Sequence, residues 1–236
     1  MLSKNELKYI QSLCHKKLRQ EEGLFIAEGV KLVDELLMSD YIVKKIYAVK
    51  DWLQNHSSVT VPLVEISDFE LEKITNLQTP NQVLAIVEQK KNHAAPVFEN
   101  NWTLVLDNIQ DPGNLGTIIR IADWFGVHQI ICSNDTVELY NPKVIQSTMG
   151  SFLRVNIRYD DIAKTLTKCS VPVLGALLDG KNMNDFSKQK EGVLIIGNES
   201  KGISEAVKKF VQKPITIPKK GGAESLNAAV ATGILL

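Results

Sequence analysis

Short apolar runs alternate with stretches of helical periodicity along almost the whole chain, and this alternation narrows the choice of fold more than any other feature. Runs at residues 102–106, 129–132, 171–177, 193–196 and 214–218 have the length of strands and are rich in aliphatic or β-branched residues. Helical patterns at 115–125, 142–149, 160–168 and 204–210 lie between them. Apolar strands interleaved with helices predict an α/β fold, a mostly parallel sheet covered by helices on both faces. Such sheets bind ligands outside the carboxyl ends of their strands, which directs attention to the loops at Asp107, Gly197 and Pro218.

The first part of the chain reads as a smaller α/β domain over residues 1–88. A helix is predicted over 4–20, strands at 24–27, 45–49, 61–64 and 82–88, and helices after Val30 and Ser67. Ser67 with Glu70 has the spacing of a capping box, in which each residue satisfies a backbone donor that the helix leaves free. Residues 89–100 turn polar, then small, with no periodicity, and are expected to be a linker to a larger domain over 101–236. Residues 225–236 are small or apolar all round, the pattern of a helix buried on every side, for instance in a subunit interface.

Composition excludes several classes. Hydrophobic residues make up 44% and charged residues 23%, a globular balance rather than that of a disordered chain. No secretory signal and no membrane-length apolar stretch is read, so a cytoplasmic protein without membrane partners is expected. Cys14, Cys132 and Cys169 are odd in number and lack CxxC spacing, against both a disulfide framework and a structural zinc site. The 27 basic residues balance 27 acidic ones, which argues against an extended polybasic surface for nucleic acid and limits such binding to local patches. Lys16, Lys17 and Arg19 form one cluster and Lys219 with Lys220 another; each pattern alone also suits ordinary solvated surface.

Familiar cofactor and hydrolase motifs are missing. The loop 111–116 has one GxxG pair in place of GxGxxG, and Lys219-Lys220-Gly221-Gly222 lacks the GKS or GKT of a phosphate-binding loop. There is no HExxH, the histidines His15, His56, His93 and His128 are scattered, and Ser225 has no G-x-S-x-G elbow, so no metal is expected. Three polar loops remain: 108–116 leading to Arg120, 197–202, and 218–227. Each alone reads as a turn with a helix cap. Together at the strand ends of one domain they can form a cradle for an uncharged or zwitterionic ligand.

Those loops carry a resemblance. Asn114-Leu115-Gly116 with Arg120 and Phe125-Gly126, then Leu194-Ile195-Ile196-Gly197-Asn198-Glu199 with Gly202, then Ile217-Pro218 with Ser225-Leu226-Asn227, resemble in order the three motifs of the SpoU/TrmH family of RNA ribose 2′-O-methyltransferases, of the SPOUT class. Ser147-Thr148-Met149-Gly150-Ser151 resembles that family's small-residue segment. Residues 1–88 resemble, less specifically, its ribosomal-protein-like RNA-binding domain, through Lys16, Lys17, Arg19, Phe25 and Glu28-Gly29 and through the closing strand 82–87. One departure is Ala228-Ala229-Val230-Ala231, where many members carry a serine.

The resemblance implies a C-terminal trefoil knot, S-adenosylmethionine as cofactor, a homodimer formed through the methyltransferase domain, and a structured RNA substrate, ribosomal RNA ahead of transfer RNA. It assigns catalytic work to Asn114, Arg120, Glu199, Ser225 and Asn227, and cofactor contacts to Gly197, Gly202, Ile217 and Leu226, with Leu177 added from outside the motifs. Lys16, Lys17, Arg19 and Glu28 are its implied RNA contacts. A guanidinium stays protonated, so Arg120 suits stabilisation of developing alkoxide charge better than proton removal. The rival classes are a non-catalytic RNA-binding or assembly factor on the same fold, and an interaction protein whose loops are only caps.

Overall fold

The structure is a computed structural model, and it describes residues 2–90, 95–185 and 189–236. Residues 91–94 of the expected linker, His93 among them, lie outside the described residues. The chain divides into two compact units, Met1–Lys91 with Tyr140–Leu153, and Asn92–Leu139 with Arg154–Leu236.

The first unit is built on a four-stranded sheet of β1 (Leu24–Glu28), β2 (Val43–Ala48), β3 (Leu63–Glu65) and β4 (Val83–Glu88) in the order β1-β4-β2-β3. β4 runs antiparallel to both β1 and β2, while β3 runs parallel to β2. Ile10, Leu13, Ile26, Tyr47, Leu71, Ile74 and Leu84 form its core. Here the expected helix 4–20 is two helices, α1 (Lys4–Ser12) and α2 (Lys16–Glu22), because His15 is extended and starts the second. The break turns Leu13 fully inward, and its carbonyl accepts a hydrogen bond from Arg19 Nη1 at 2.9 Å. Helices α3 (Val30–Leu37), α4 (Lys50–Asn55) and α5 (Asp68–Ile74) follow, and the capping box forms: Glu70 N–H donates to Ser67 Oγ while the Glu70 carboxylate accepts from Ser67 N–H.

Residues 140–153, expected within the larger domain, belong to the first unit. Here α7 (Pro142–Thr148) and a 3₁₀ turn (Ser151–Leu153) lie against β1. Phe25 of β1 packs at a tilt of 33° on Tyr140 with ring centres 4.6 Å apart and meets Phe152 edge-on at 6.0 Å. Such aromatic contacts add of the order of 1 kcal/mol each beyond burial.

The second unit is a six-stranded sheet in which every pairing is parallel. Its strands are β5 (Trp102–Asp107), β6 (Gln129–Cys132), β7 (Asn156–Tyr159), β8 (Val173–Asn182), β9 (Gly192–Gly197) and β10 (Lys213–Thr216), in the order β10-β8-β9-β5-β6-β7. α6 (Pro112–Trp124), α8 (Ile162–Leu166), α9 (Glu205–Lys208) and α10 (Ala228–Leu235) accompany it. One core combines Val105, Ile131, Val193 and Ile195 of the strands with Ile162, Leu166 and Val207 of the helices. β7 escapes the apolar-run criterion because it is an edge strand, where Asn156 is exposed and Arg158, largely buried, pairs with Asp160. The chain steps from β5 to β6 and β7 on one side, then returns to place β9 on the other side of β5. At that reversal the segments after β5 and β9 meet, the position where open parallel sheets place their ligands.

Candidate functional site

All three polar loops follow strands of the second unit, and two leave the neighbouring strands β5 and β9 at the reversal. β5 ends at Asp107, which is buried, and its Oδ2 accepts a hydrogen bond of 2.7 Å from Ser204 N–H beyond β9. Asn108 follows with φ of 61°, a left-handed conformation that asparagine tolerates better than most residues. Its carbonyl accepts from Asn198 Nδ2 at 2.8 Å, while its own Oδ1 is buried with no hydrogen-bond partner among the described residues. Asp111 caps α6 by accepting from Asn114 N–H at 2.8 Å, and Pro112 occupies the first turn, where a missing N–H costs nothing.

The capped turn places Asn114 between the other two loops. Its Nδ2 donates to Glu199 Oε1 at 2.7 Å, and its Oδ1 accepts from Asn227 Nδ2 at 2.8 Å. A carboxylate only accepts, so Asn114 must turn its NH₂ toward Glu199 and its oxygen toward Asn227. Asn227 in turn uses Oδ1 to accept from Ala229 and Val230 N–H at 2.9 and 3.2 Å, capping α10. Three segments separated by 85 and 113 residues are thus joined in one relay, Glu199–Asn114–Asn227.

The 197–202 loop is closed on itself. Asn198 and Gly202 exchange backbone hydrogen bonds of 3.0 and 2.9 Å, and Asn198 Oδ1 accepts from Ser200 and Lys201 N–H. A side chain at Gly197 would place its Cβ 2.3 Å from both Gly202 C and Ile203 N, so only glycine lets the two backbone segments cross. Gly202 has φ of 69°, which also favours glycine. Both glycines therefore serve loop closure first and fix the backbone that a ligand would meet.

The other expected residues are placed less uniformly. Arg120 is exposed on α6, six residues after Asn114, hence about 9 Å further along the helix axis and on a different face. Ser225 is exposed and outside the relay. The expected helix 225–236 begins only at Ala228, since Asn227 is its cap. Nor is that helix buried all round: Val230 is 51% and Ile234 42% exposed. Leu226 is exposed, Ile217 is half-buried at the end of β10, and Leu177 is half-buried on β8 against the core of the unit. Asp107 marks a strand end and Asn198 stands within a motif in the sequence, but neither they nor Asp111 are assigned a role there. Their signal is a polar side chain where an apolar strand ends or one position before a helix, the places where caps and Asx turns occur.

In the first unit two of the four expected RNA contacts are corrected. Arg19 is 1% exposed and its guanidinium turns inward to Leu13 O. Glu28 is 7% exposed and accepts hydrogen bonds from Thr75 Oγ1 and from Asn76 N–H and Nδ2. Both hold the fold, since a buried charge needs its lone pairs or protons satisfied from within. Lys16 and Lys17 are exposed, and Lys17 sits 3.9 Å from Glu21. Arg19→Ala should therefore lower stability by about 1–3 kcal/mol in urea unfolding, the cost of removing a buried hydrogen-bonding group. RNA affinity per folded molecule should be unchanged, and a loss of affinity at full stability would restore Arg19 as a contact.

Residues 101–236 match the model of the SpoU rRNA Methylase family, and residues 4–85 match that of the MRM3-like substrate binding domain. The 23S rRNA (guanosine(2553)-2′-O)-methyltransferase RlmP of Bacillus subtilis is 32% identical over 227 residues, 94% of this chain and 90% of the relative. A TrmH-family protein from Porphyromonas gingivalis superposes with a TM-score of 0.89 at 34% identity, covering 100% of this chain and 96% of the other. An rRNA methyltransferase from Sinorhizobium meliloti, solved with AdoMet bound, superposes with a TM-score of 0.88 at 31% identity, covering 100% and 94%.

Proposed function

The chain belongs to the SpoU rRNA methylase family, and from that premise we propose that it transfers a methyl group from S-adenosylmethionine to a ribose 2′-hydroxyl of structured ribosomal RNA. The observation that carries this reading is the Glu199–Asn114–Asn227 relay, because it gathers one polar side chain from each family motif at the strand ends. The parallel sheet is the one typical of the SPOUT trefoil-knot fold.

The residues fit the cofactor. The closed 197–202 loop offers rigid backbone, Asn108 Oδ1 is a buried acceptor with no donor among the described residues, and Ile217 and Leu226 supply apolar surface that the unit leaves partly uncovered. Gly197, Gly202, Ile217 and Leu226 would hold it, with Leu177 supporting from the core. Bound there, S-adenosylmethionine supplies an electrophilic methyl on a sulfonium sulfur. Asn114, fixed by its two hydrogen bonds, orients the ribose side of the site, and Glu199 holds Asn114. Arg120 faces solvent, so its guanidinium stabilises the 2′-oxygen as that atom's proton passes to solvent water, and it engages the adjacent phosphate. Ser225 lies in an exposed segment where it can meet substrate. Lys16 and Lys17 provide the basic patch for RNA, and the protein acts in the cytoplasm.

The active form is a homodimer. Trp124 is 85% and Phe125 50% exposed at the end of α6, and Val230 and Ile234 are exposed on α10, which packs against α6. Apolar surface this concentrated on two adjoining helices suits burial against a second copy. Trp124→Glu should convert a species of twice the chain mass to monomer in light scattering; a wild-type protein that is already monomeric removes this part of the reading.

Purified protein with methyl-labelled S-adenosylmethionine should label ribosomal RNA transcribed in vitro, and transfer RNA far less. Arg120→Ala should lower the rate about a hundredfold or more without loss of cofactor binding, the scale expected for removing an oriented charge-stabilising group. Label in transfer RNA alone would move the substrate. RNA binding with no transfer to either would favour the non-catalytic assembly factor.

A further inference from the structure

The first unit contains a cleft of about 390 Å³ that is no part of the site above. One wall comes from the turn after α5, with Asn76 and Leu77, and the other from α7, with Pro142, Lys143 and Gln146. Ile26 and Ile145, both nearly fully buried, complete its apolar lining. Neither family-matched segment, 4–85 or 101–236, contains both walls. The volume lies within the roughly 300–1,000 Å³ of small-ligand pockets.

The lining is mixed in a particular way. Leu77 and Pro142, over the buried Ile145, give apolar surface of the kind a planar ring packs on, whereas Gln146 presents an amide that both donates and accepts. Asn76, which donates to Glu28 and accepts from Cys14 Sγ, keeps a second N–H and a second lone pair. Flat apolar contact with bifunctional edges is the chemistry of a nucleobase. The turn that forms the first wall is pinned by Glu28, whose carboxylate accepts from Thr75 Oγ1 and from Asn76 N–H and Nδ2. Its buried negative charge disfavours a phosphate deep in the cleft and leaves the exposed Lys143 as the place for one. Cys14 also lines the cleft, and the exposed Lys16 and Lys17 follow it two and three residues later. An A-form stem is too wide to enter, while a nucleotide splayed from a loop or bulge is not.

We propose that this cleft takes one unpaired nucleotide of the RNA substrate, its base against Leu77 and Pro142 and its phosphate at Lys143. The proposal rests on the reading of the chain as an RNA methyltransferase and adds where that RNA is selected. Asn76 and Gln146 read the base edge, and Glu28 is a positioning residue that acts through Asn76.

The test uses the full chain and 23S ribosomal RNA transcribed in vitro. Gln146→Trp fills the cleft from an exposed position and should weaken RNA binding at least tenfold, raising KM for RNA while kcat at saturating RNA stays within twofold. Lys143→Ala removes one phosphate contact and should reduce the slope of log affinity against log salt by about one. Melting temperatures should match wild type, and if Gln146→Trp does not fold, the Lys143→Ala slope decides. Affinity within twofold for Gln146→Trp with an unchanged slope for Lys143→Ala overturns the proposal. Wild-type protein that binds this RNA but transfers no methyl overturns the enzymatic reading alone, and the two variants still judge the cleft. Wild-type protein that binds no RNA overturns both.

Discussion

Asn114→Ala is expected to reduce methyl transfer at least about a hundredfold with little loss of stability, because its side chain is the only link between Glu199 and Asn227 in the relay. Removing the amide leaves Glu199 Oε1 and Asn227 Nδ2 without these partners, yet both lie near solvent, so water takes over the hydrogen bonds and the fold stands. What is lost is orientation, which water does not supply. Asn114→Asp sharpens the test. It exchanges the NH₂ for an oxygen 2.7 Å from a second carboxylate oxygen, so repulsion replaces a hydrogen bond. The aspartate variant should therefore be no more active than the alanine variant, despite its closer shape. Single-turnover rates with saturating cofactor measure both, and an aspartate variant near wild-type rate would show that the relay does not organise the site.

Gly197→Ala is expected to be the most damaging single-methyl addition in the second unit. Its Cβ would lie 2.3 Å from Gly202 C and Ile203 N, and backbone cannot rotate away as a side chain can. Overpacking of this kind costs about 1–3 kcal/mol and at times more, and a clash with fixed backbone belongs at the upper end, about 3 kcal/mol. The strain opens the 197–202 loop, which carries Glu199, so activity should fall with stability. Gly221→Ala and Gly222→Ala are the controls, since nothing lies within 4 Å of a Cβ added at either. Urea unfolding of the three variants checks the ranking; equal stability of Gly197→Ala and the controls would contradict the loop geometry.

The larger domain was legible because its strands are buried on both faces. Apolar runs at 102–106, 129–132 and 193–196 coincide with β5, β6 and β9, all interior strands of the sheet. Legibility fades where burial does: β7, at an edge, reads as polar, and the second half of β8 turns exposed beyond Leu177. Linear periodicity is also blind to unit membership, and α7 belongs with the first unit although it follows β6 in the chain. Motif order points to Asn114, Glu199 and Asn227 as candidates, and their contact depends on the loops meeting at the strand ends. Asn198 draws no such assignment, because a position between a required glycine and a required glutamate looks free until its amide is seen holding Ser200, Lys201 and Asn108. Arg19 and Glu28 misled for a related reason. Charge suggests solvent or phosphate, and only the fold shows that hydrogen bonds from Thr75 and Asn76, and to Leu13, let these two side chains turn inward.

Nucleoside mass spectrometry of the methylated product separates methyl transfer to a ribose 2′-oxygen of ribosomal RNA from transfer to a base. After incubation with isotopically labelled S-adenosylmethionine, the RNA is digested to nucleosides. The account predicts a single labelled 2′-O-methylnucleoside with the added mass on the sugar fragment, present with wild-type protein and lost with Arg120→Ala. Labelled mass on the base fragment, or none on any nucleoside, would contradict it.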